Sequence, residues 1–187
     1  MLEIIEKGAT FELTVESKQE SPTKFYFGAG WDNPNGPVDL DIVCAVLHNG
    51  KLTSNSDFVY FGNKTAPGVT LSEDNQTGEG EGDDEDIVID TSKLDAGVDK
   101  VVIGLAAYAG ADLHSAPNTH FRVCDGDQES SEQIGDVMLN GATDGDTVLV
   151  AFTLLKTSSG WALENNSEFH KKGQGTGAIQ GFGALFQ

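Results

Sequence analysis

The stretch VDLDIVCAVL, residues 38–47, alternates apolar and acidic side chains over its first five positions. Successive side chains of an extended chain point to opposite faces. Val38, Leu40 and Ile42 therefore share one face, and Asp39 and Asp41 share the other, ~7 Å apart along the strand. This is the signature of a half-buried strand. It also sets two carboxylates side by side with no basic residue nearby in sequence, which is unfavourable.

The period of two recurs on both sides of this segment. In ATFELTV (9–15), Phe11, Leu13 and Val15 alternate with Thr10, Glu12 and Thr14. KFYFGAGW (24–31), DFVYFGN (57–63), IVID (87–90) and KVVIGLAAYA (100–109) are further candidates. HFRVCDG (120–126), QIGDVML (133–139) and DTVLVAFTLLK (146–156) follow, the last turning at Gly160 into WALENN (161–166) as a hairpin. About ten short strands separated by Gly, Asn, Asp and Pro turns predict an all-β antiparallel architecture. Unequal strand lengths favour a β-sandwich over an even barrel. No segment carries a sustained 3.6-residue apolar stripe with caps, so helix should be scarce. TSKLDAGVDK (91–100) offers one turn at most. The glycine-rich end GQGTGAIQGFGALFQ (173–187) either closes over the core or lies loose.

A chain of 187 residues is most simply a single domain over 1–187, long enough to bury a real core. Its formal charge of -19, with only 11 Lys and Arg, excludes the basic footprint that a nucleic-acid partner demands. The opening MLEIIEKGATFELTV has no basic n-region and no unbroken apolar core, so it does not read as a secretory signal. The longest apolar run, VVIGLAAYAGA (101–111), falls short of the ~20 residues that span a bilayer. A cytoplasmic location is expected. Cys44 and Cys124 read as buried small hydrophobes, and the four histidines lack zinc spacing.

The charge concentrates in LSEDNQTGEGEGDDEDIVID, residues 71–90. Glu73, Asp74, Glu79, Glu81, Asp83, Asp84, Glu85 and Asp86 are interleaved with Gly78, Gly80 and Gly82, with no basic residue. One reading is a solvated, mobile loop. The other is a cage for a hard cation, which takes about six to eight oxygens from carboxylates, carbonyls and water. The glycines let the backbone turn its carbonyls inward, and Asn75 and Thr77 add neutral oxygens. With Asp39 and Asp41 brought against it, the loop would complete one or two cages. Upstream, GWDNPNGP (30–37) adds Asp32 and Asn33. An EF-hand is excluded: Gln76, Gly78 and Glu79 occupy the third, fifth and sixth positions counted from Asp74, and no helices flank the loop.

These residues resemble the TerD family of tellurite-resistance proteins, which includes calcium-binding stress proteins of bacteria. GWD (30–32), DLDI (39–42), DFVYFGN (57–63) and above all DNQTGEGEGDDEDIVID (74–90) carry the likeness, in family order. GQGTGAIQGFGAL (173–185) looks like the family's glycine-rich terminus. The resemblance implies a β-sandwich whose acidic loop binds Ca2+, two ions close together. It implies as ligands Asp39 and Asp41 from the strand, and Asp74, Asn75, Thr77, Glu79, Asp83, Asp84 and Glu85 from the loop. Gly78 and Gly80 would offer carbonyls, and Asp32 is a weaker candidate. The segment 107–120 departs from the family's His-Asp-Ala pattern, and SKQESPTKF (17–25) is longer than usual.

The resemblance implies a non-enzymatic calcium-binding protein of a stress or tellurite-resistance system, working with other proteins of that system. Two alternatives belong to other classes. One is a divalent-metal-dependent phosphoryl-transfer enzyme, for which no Lys, Arg or His group stands out. The other is a calcium-dependent module of a membrane surface, touching the membrane only peripherally. GxGxxA at Gly173–Ala178 follows no strand and is not a dinucleotide fingerprint. His114 and His120 read as surface or hydrogen-bonded histidines, and Trp31 and Trp161 as core or sheet-edge aromatics.

Overall fold

The computed structural model describes residues 7–12, 23–31, 36–108 and 112–187. Among these, twelve strands follow in chain order. The first six are β1 (Thr10–Glu12), β2 (Lys24–Gly30), β3 (Leu40–His48), β4 (Phe58–Val59), β5 (Thr65–Ala66) and β6 (Val69–Leu71). The rest are β7 (Glu85–Asp90), β8 (Val98–Ala107), β9 (His120–Asp125), β10 (Glu132–Met138), β11 (Val148–Thr157) and β12 (Gly160–His170). They form two six-stranded sheets, ordered β1-β12-β11-β8-β3-β4 and β10-β9-β2-β7-β6-β5. Every pairing is antiparallel.

The sheets face each other across one apolar layer. Phe25, Phe27, Ile87, Ile89 and Phe121 come from the second sheet, and Ile42, Cys44, Ile103, Leu105 and Phe152 from the first. This is the β-sandwich that about ten short strands of unequal length predict. Strand β3 is buried on both faces, because Val43, Ala45 and Leu47 meet a second apolar cluster outside the sandwich. Its cover is α1 (Thr176–Gly183), which contributes Ala178, Ile179 and Phe182. Gly104 of β8 makes room for it, since an added Cβ would meet the Phe182 ring at 2.6 Å.

The C-terminal segment thus packs against the fold as a helix, which its three glycines argue against by propensity. Tertiary burial of Ile179 and Phe182 overrides that cost. DFVYFGN is not one continuous strand. Ser54 caps a 3-10 turn at Asn55–Asp57, only Phe58–Val59 pair with β3, and Tyr60 bridges Asn63. Strands β5 and β6 are too short to carry an alternation signal. Of ATFELTV, Thr10–Glu12 form β1, and 13–15 lie outside the described residues. In 91–100 the expected single turn is the 3-10 turn Thr91–Lys93. Cys44 and Cys124 are free and buried. No helix among the described residues is long and apolar enough to cross a membrane.

Candidate metal centre

At one end of the sandwich the entry to β3 and the loop from β6 to β7 meet. Strand β4 pairs with β3 only at Cys44 and Ala45, so the edge of β3 before these residues needs another partner. Glu85 supplies it. In β7, Glu85, Ile87 and Ile89 face the sandwich interior, and the Glu85 carboxylate reaches the opposite sheet to accept from Ile42 N at 2.8 Å. Its other oxygen accepts from Asn75 N at 3.2 Å. One buried side chain therefore ties strand β3, strand β7 and the acidic loop together.

Asn75 organises the loop. Its Oδ1 accepts from Thr77 N at 3.1 Å and Gly78 N at 3.0 Å, and its Nδ2 donates to Asp84 Oδ1 at 3.0 Å. Asp84 Oδ2 in turn accepts from Trp31 N at 2.8 Å. Gly78 lies buried against the Trp31 ring at φ 67°, a left-handed conformation suited to glycine. Trp31, itself 3% exposed, donates its indole N–H to Val38 O at 2.9 Å. The loop is thus built onto the chain just before β3.

This framework brings Asp39, Asp41 and Asp74 together, with one carboxylate oxygen of each within 4.8 Å of the others. Among the described residues it is the only group of three His, Cys, Asp or Glu that meets this spacing. Asp74 is exposed, Asp39 half-buried, and Asp41 only 2% exposed. Asp39 Oδ1 and Asp41 Oδ2 are buried without a hydrogen-bond partner. Such an atom ordinarily costs about 1–3 kcal/mol, more when charged. Two unit charges about 5 Å apart repel by about 3 kcal/mol at an effective dielectric constant of about 20. The protonation equilibria register both effects. Burial first, then the charge of Asp74, raises Asp39 to about 6. Burial first, then Asp39 and Asp74, raises Asp41 to about 7. Burial raises Glu85 to about 8, with Asp41 and Asp74 adding to it and the bonds from Ile42 and Asn75 opposing it.

The other sequence-predicted residues lie elsewhere in the loop. Thr77 and Glu79 are exposed, with Glu79 N donating to Thr77 Oγ1 at 3.3 Å. Gly80 is exposed beside Asp84. Asp83 turns to the outer face of the second sheet, where its carboxylate accepts from Tyr26 OH at 2.9 Å and from Arg122 at 2.6–3.0 Å. His120 Nε2 stands 3.3 Å away. Burial opposes ionisation of Asp83, but hydrogen bonds from His120, Arg122 and Tyr26 outweigh it and hold the carboxyl down at about 2. Asp32 lies outside the described residues. Sequence reading misses Tyr26 and Arg122, whereas His120, read there as a surface or hydrogen-bonded histidine, does bond Asp83. The available signal is slight: HFRVC places His120, Arg122 and Cys124 on one strand face beside the gap that Gly28 and Gly30 leave on β2.

The TerD domain family model matches residues 1–179. Stress response protein SCP2 of Bacillus subtilis (strain 168) is 31% identical over 192 aligned residues, covering 92% of each chain. Tellurium resistance protein TerD of Serratia marcescens is 40% identical over 81 residues, 40% of this chain and 42% of that one. The crystal structure of a homologue of telluride resistance protein (TerD) from Streptomyces coelicolor A3(2) superposes with a TM-score of 0.66 at 18% identity. That match covers 80% of this chain and 90% of the other, and supports the fold alone.

Proposed function

The chain belongs to the TerD-domain family, and from that premise we propose a non-enzymatic, calcium-binding protein of a bacterial stress or tellurium-resistance system. The observation that carries the reading is the pair of buried, unpartnered oxygens on Asp39 and Asp41, set against Asp74. The donor set fits a hard dication: the three clustered side chains offer only oxygens, and no thiol or imidazole joins them. Asp39, Asp41 and Asp74 would hold the ion, which supplies positive charge where the chain alone has repulsion. Glu85 and Asn75 hold the loop against β3 and so keep Asp74 opposite the strand aspartates. A second ion would draw on Thr77, Glu79, Asp84 and the carbonyls of Gly78 and Gly80.

Phosphoryl transfer is less well supported, because Arg122 and His120 are committed to Asp83. Direct chemistry on a tellurium species lacks an accessible thiol, since both cysteines are buried. The loop, ordered by the ion, would then be the surface read by other proteins of the same system. Vesicle co-sedimentation with and without calcium separates this from a membrane-surface module.

Thermal melting in calcium, in magnesium and in chelator tests the reading. At about 100-fold excess over the dissociation constant, one site adds about 2.7 kcal/mol. For a domain of this size that is roughly a 5–10 °C rise in Tm. Identical melting in calcium and in chelator would remove the proposal.

A further inference from the structure

The acidic loop is fastened at a second point, on the outer face of the second sheet. The Asp83 carboxylate is 2% exposed, yet it is ringed by donors. Arg122 Nε lies 3.0 Å from both of its oxygens, Arg122 Nη2 2.6 Å from Oδ2, Tyr26 OH 2.9 Å from Oδ2, and His120 Nε2 3.3 Å from Oδ1. A carboxylate offers about four lone-pair positions, so this one has little capacity left for a cation. The seat is cut into β2. A Cβ on Gly28 would collide with the Asp83 carboxyl, and one on Gly30 would sit 2.6 Å from the His120 ring and 2.7 Å from Gly82 O. Arg122 also holds Glu129 at 3.1 Å, and Glu129 lies over Gly82. Immediately after Asp83 the chain joins the edge of β2, with Asp84 N donating to Ala29 O at 2.8 Å. The next side chains then reach Trp31 N and Ile42 N.

We infer that Arg122 is a positioning residue for the cation site: it clamps Asp83 on the Gly28–Gly30 seat and thereby aims Asp84 and Glu85 toward Asn75 and β3. Asp83 is then the anion of this clamp and not a cation ligand. The part that concerns affinity rests on the calcium reading above; the clamp itself does not. A fixed anchor matters because a preassembled cage does not spend binding energy on ordering its loop.

The test uses Arg122→Met, Asp83→Asn and the double variant of the full chain, with Arg122→Lys as a variant that keeps charge but loses the two-pronged fork. Two measurements are made: calorimetric calcium titration, and amide hydrogen exchange of residues 78–84 in chelator, with β11 as internal control. Each single variant should weaken calcium by about 10-fold, as loss of an outer partner typically does, with the number of bound ions unchanged. The double variant should be no weaker than the worse single, Arg122→Lys should fall between, and exchange in 78–84 should rise while β11 stays protected. A loss of one bound ion in Asp83→Asn alongside wild-type affinity in Arg122→Met would overturn the assignment. Unchanged exchange in 78–84 in every variant would overturn the clamp. If the wild-type chain bound no calcium, the reading of the preceding subsection would fail, and the exchange measurement would decide the clamp alone.

Discussion

At the scale of single residues, Asp41 concentrates the problem this fold has solved. Its carboxyl is 2% exposed, one oxygen has no hydrogen-bond partner, and two other acids stand against it. Removing its charge should therefore act in opposite directions in the two states. Asp41→Asn should raise Tm in chelator, because a repulsive buried charge is gone, and should abolish most of the rise that calcium produces. Paired melts of wild type and variant check this, and a variant less stable in chelator would count against the repulsion argument. Gly78 is the second critical residue. At φ 67°, with Trp31 where a Cβ would stand, Gly78→Ala combines left-handed strain with a steric clash. The cost should be about 2–4 kcal/mol in urea denaturation. Asp39 and Asp41 are legible in the sequence because period two is a local property: the face they share follows from their spacing alone. The fate of Asp83 is not legible, since its partners Tyr26 and Arg122 lie 57 and 39 residues away.

At the scale of elements, the acidic run shows how a strand distributes charge. Asp83 goes to the outer sheet face, Asp84 to the Trp31 N–H, and Glu85 to the interior and Ile42. Asp83, Asp84 and Glu85 thus take three different directions, which their adjacency in sequence does not reveal. Strands β3, β8 and β11 are legible because each carries an apolar run of strand length, and β12 because it follows β11 across the turn at Gly160. Strands β5 and β6 span two and three residues and carry no such pattern. Helix α1 escapes for another reason: its stability resides in what it covers. Phe182 is fully buried against the outer face of the first sheet, in contact with Phe58 and Phe186. Phe182→Ala should cost about 3–5 kcal/mol by chemical denaturation. A loss below about 1 kcal/mol would mean that the helix is a loosely held appendage.

At the scale of the molecule, a formal charge of -19 makes protonation and cation binding two ways of relieving the same strain. Asp39, Asp41 and Glu85 have folded-state values of about 6, 7 and 8, above those of unfolded carboxylates near 4. The folded chain therefore holds protons that the unfolded chain has released, and stability falls as pH rises through this interval. His120, raised by its bond to Asp83, acts in the same direction. Asp83, held down at about 2, contributes stability that is lost only at lower pH, below about 4. In chelator, Tm should decline from pH 5 to pH 8, and the increment produced by calcium should grow over the same interval. Parallel Tm profiles with and without calcium would contradict this coupling. The most direct measurement is a calorimetric calcium titration of the wild-type chain and of an Asp39→Asn/Asp41→Asn variant at neutral pH. Saturable binding in the wild type, lost or weakened by at least about 100-fold in the variant, is the predicted result. A wild type that takes up no calcium, or a variant that binds it equally well, would contradict the account.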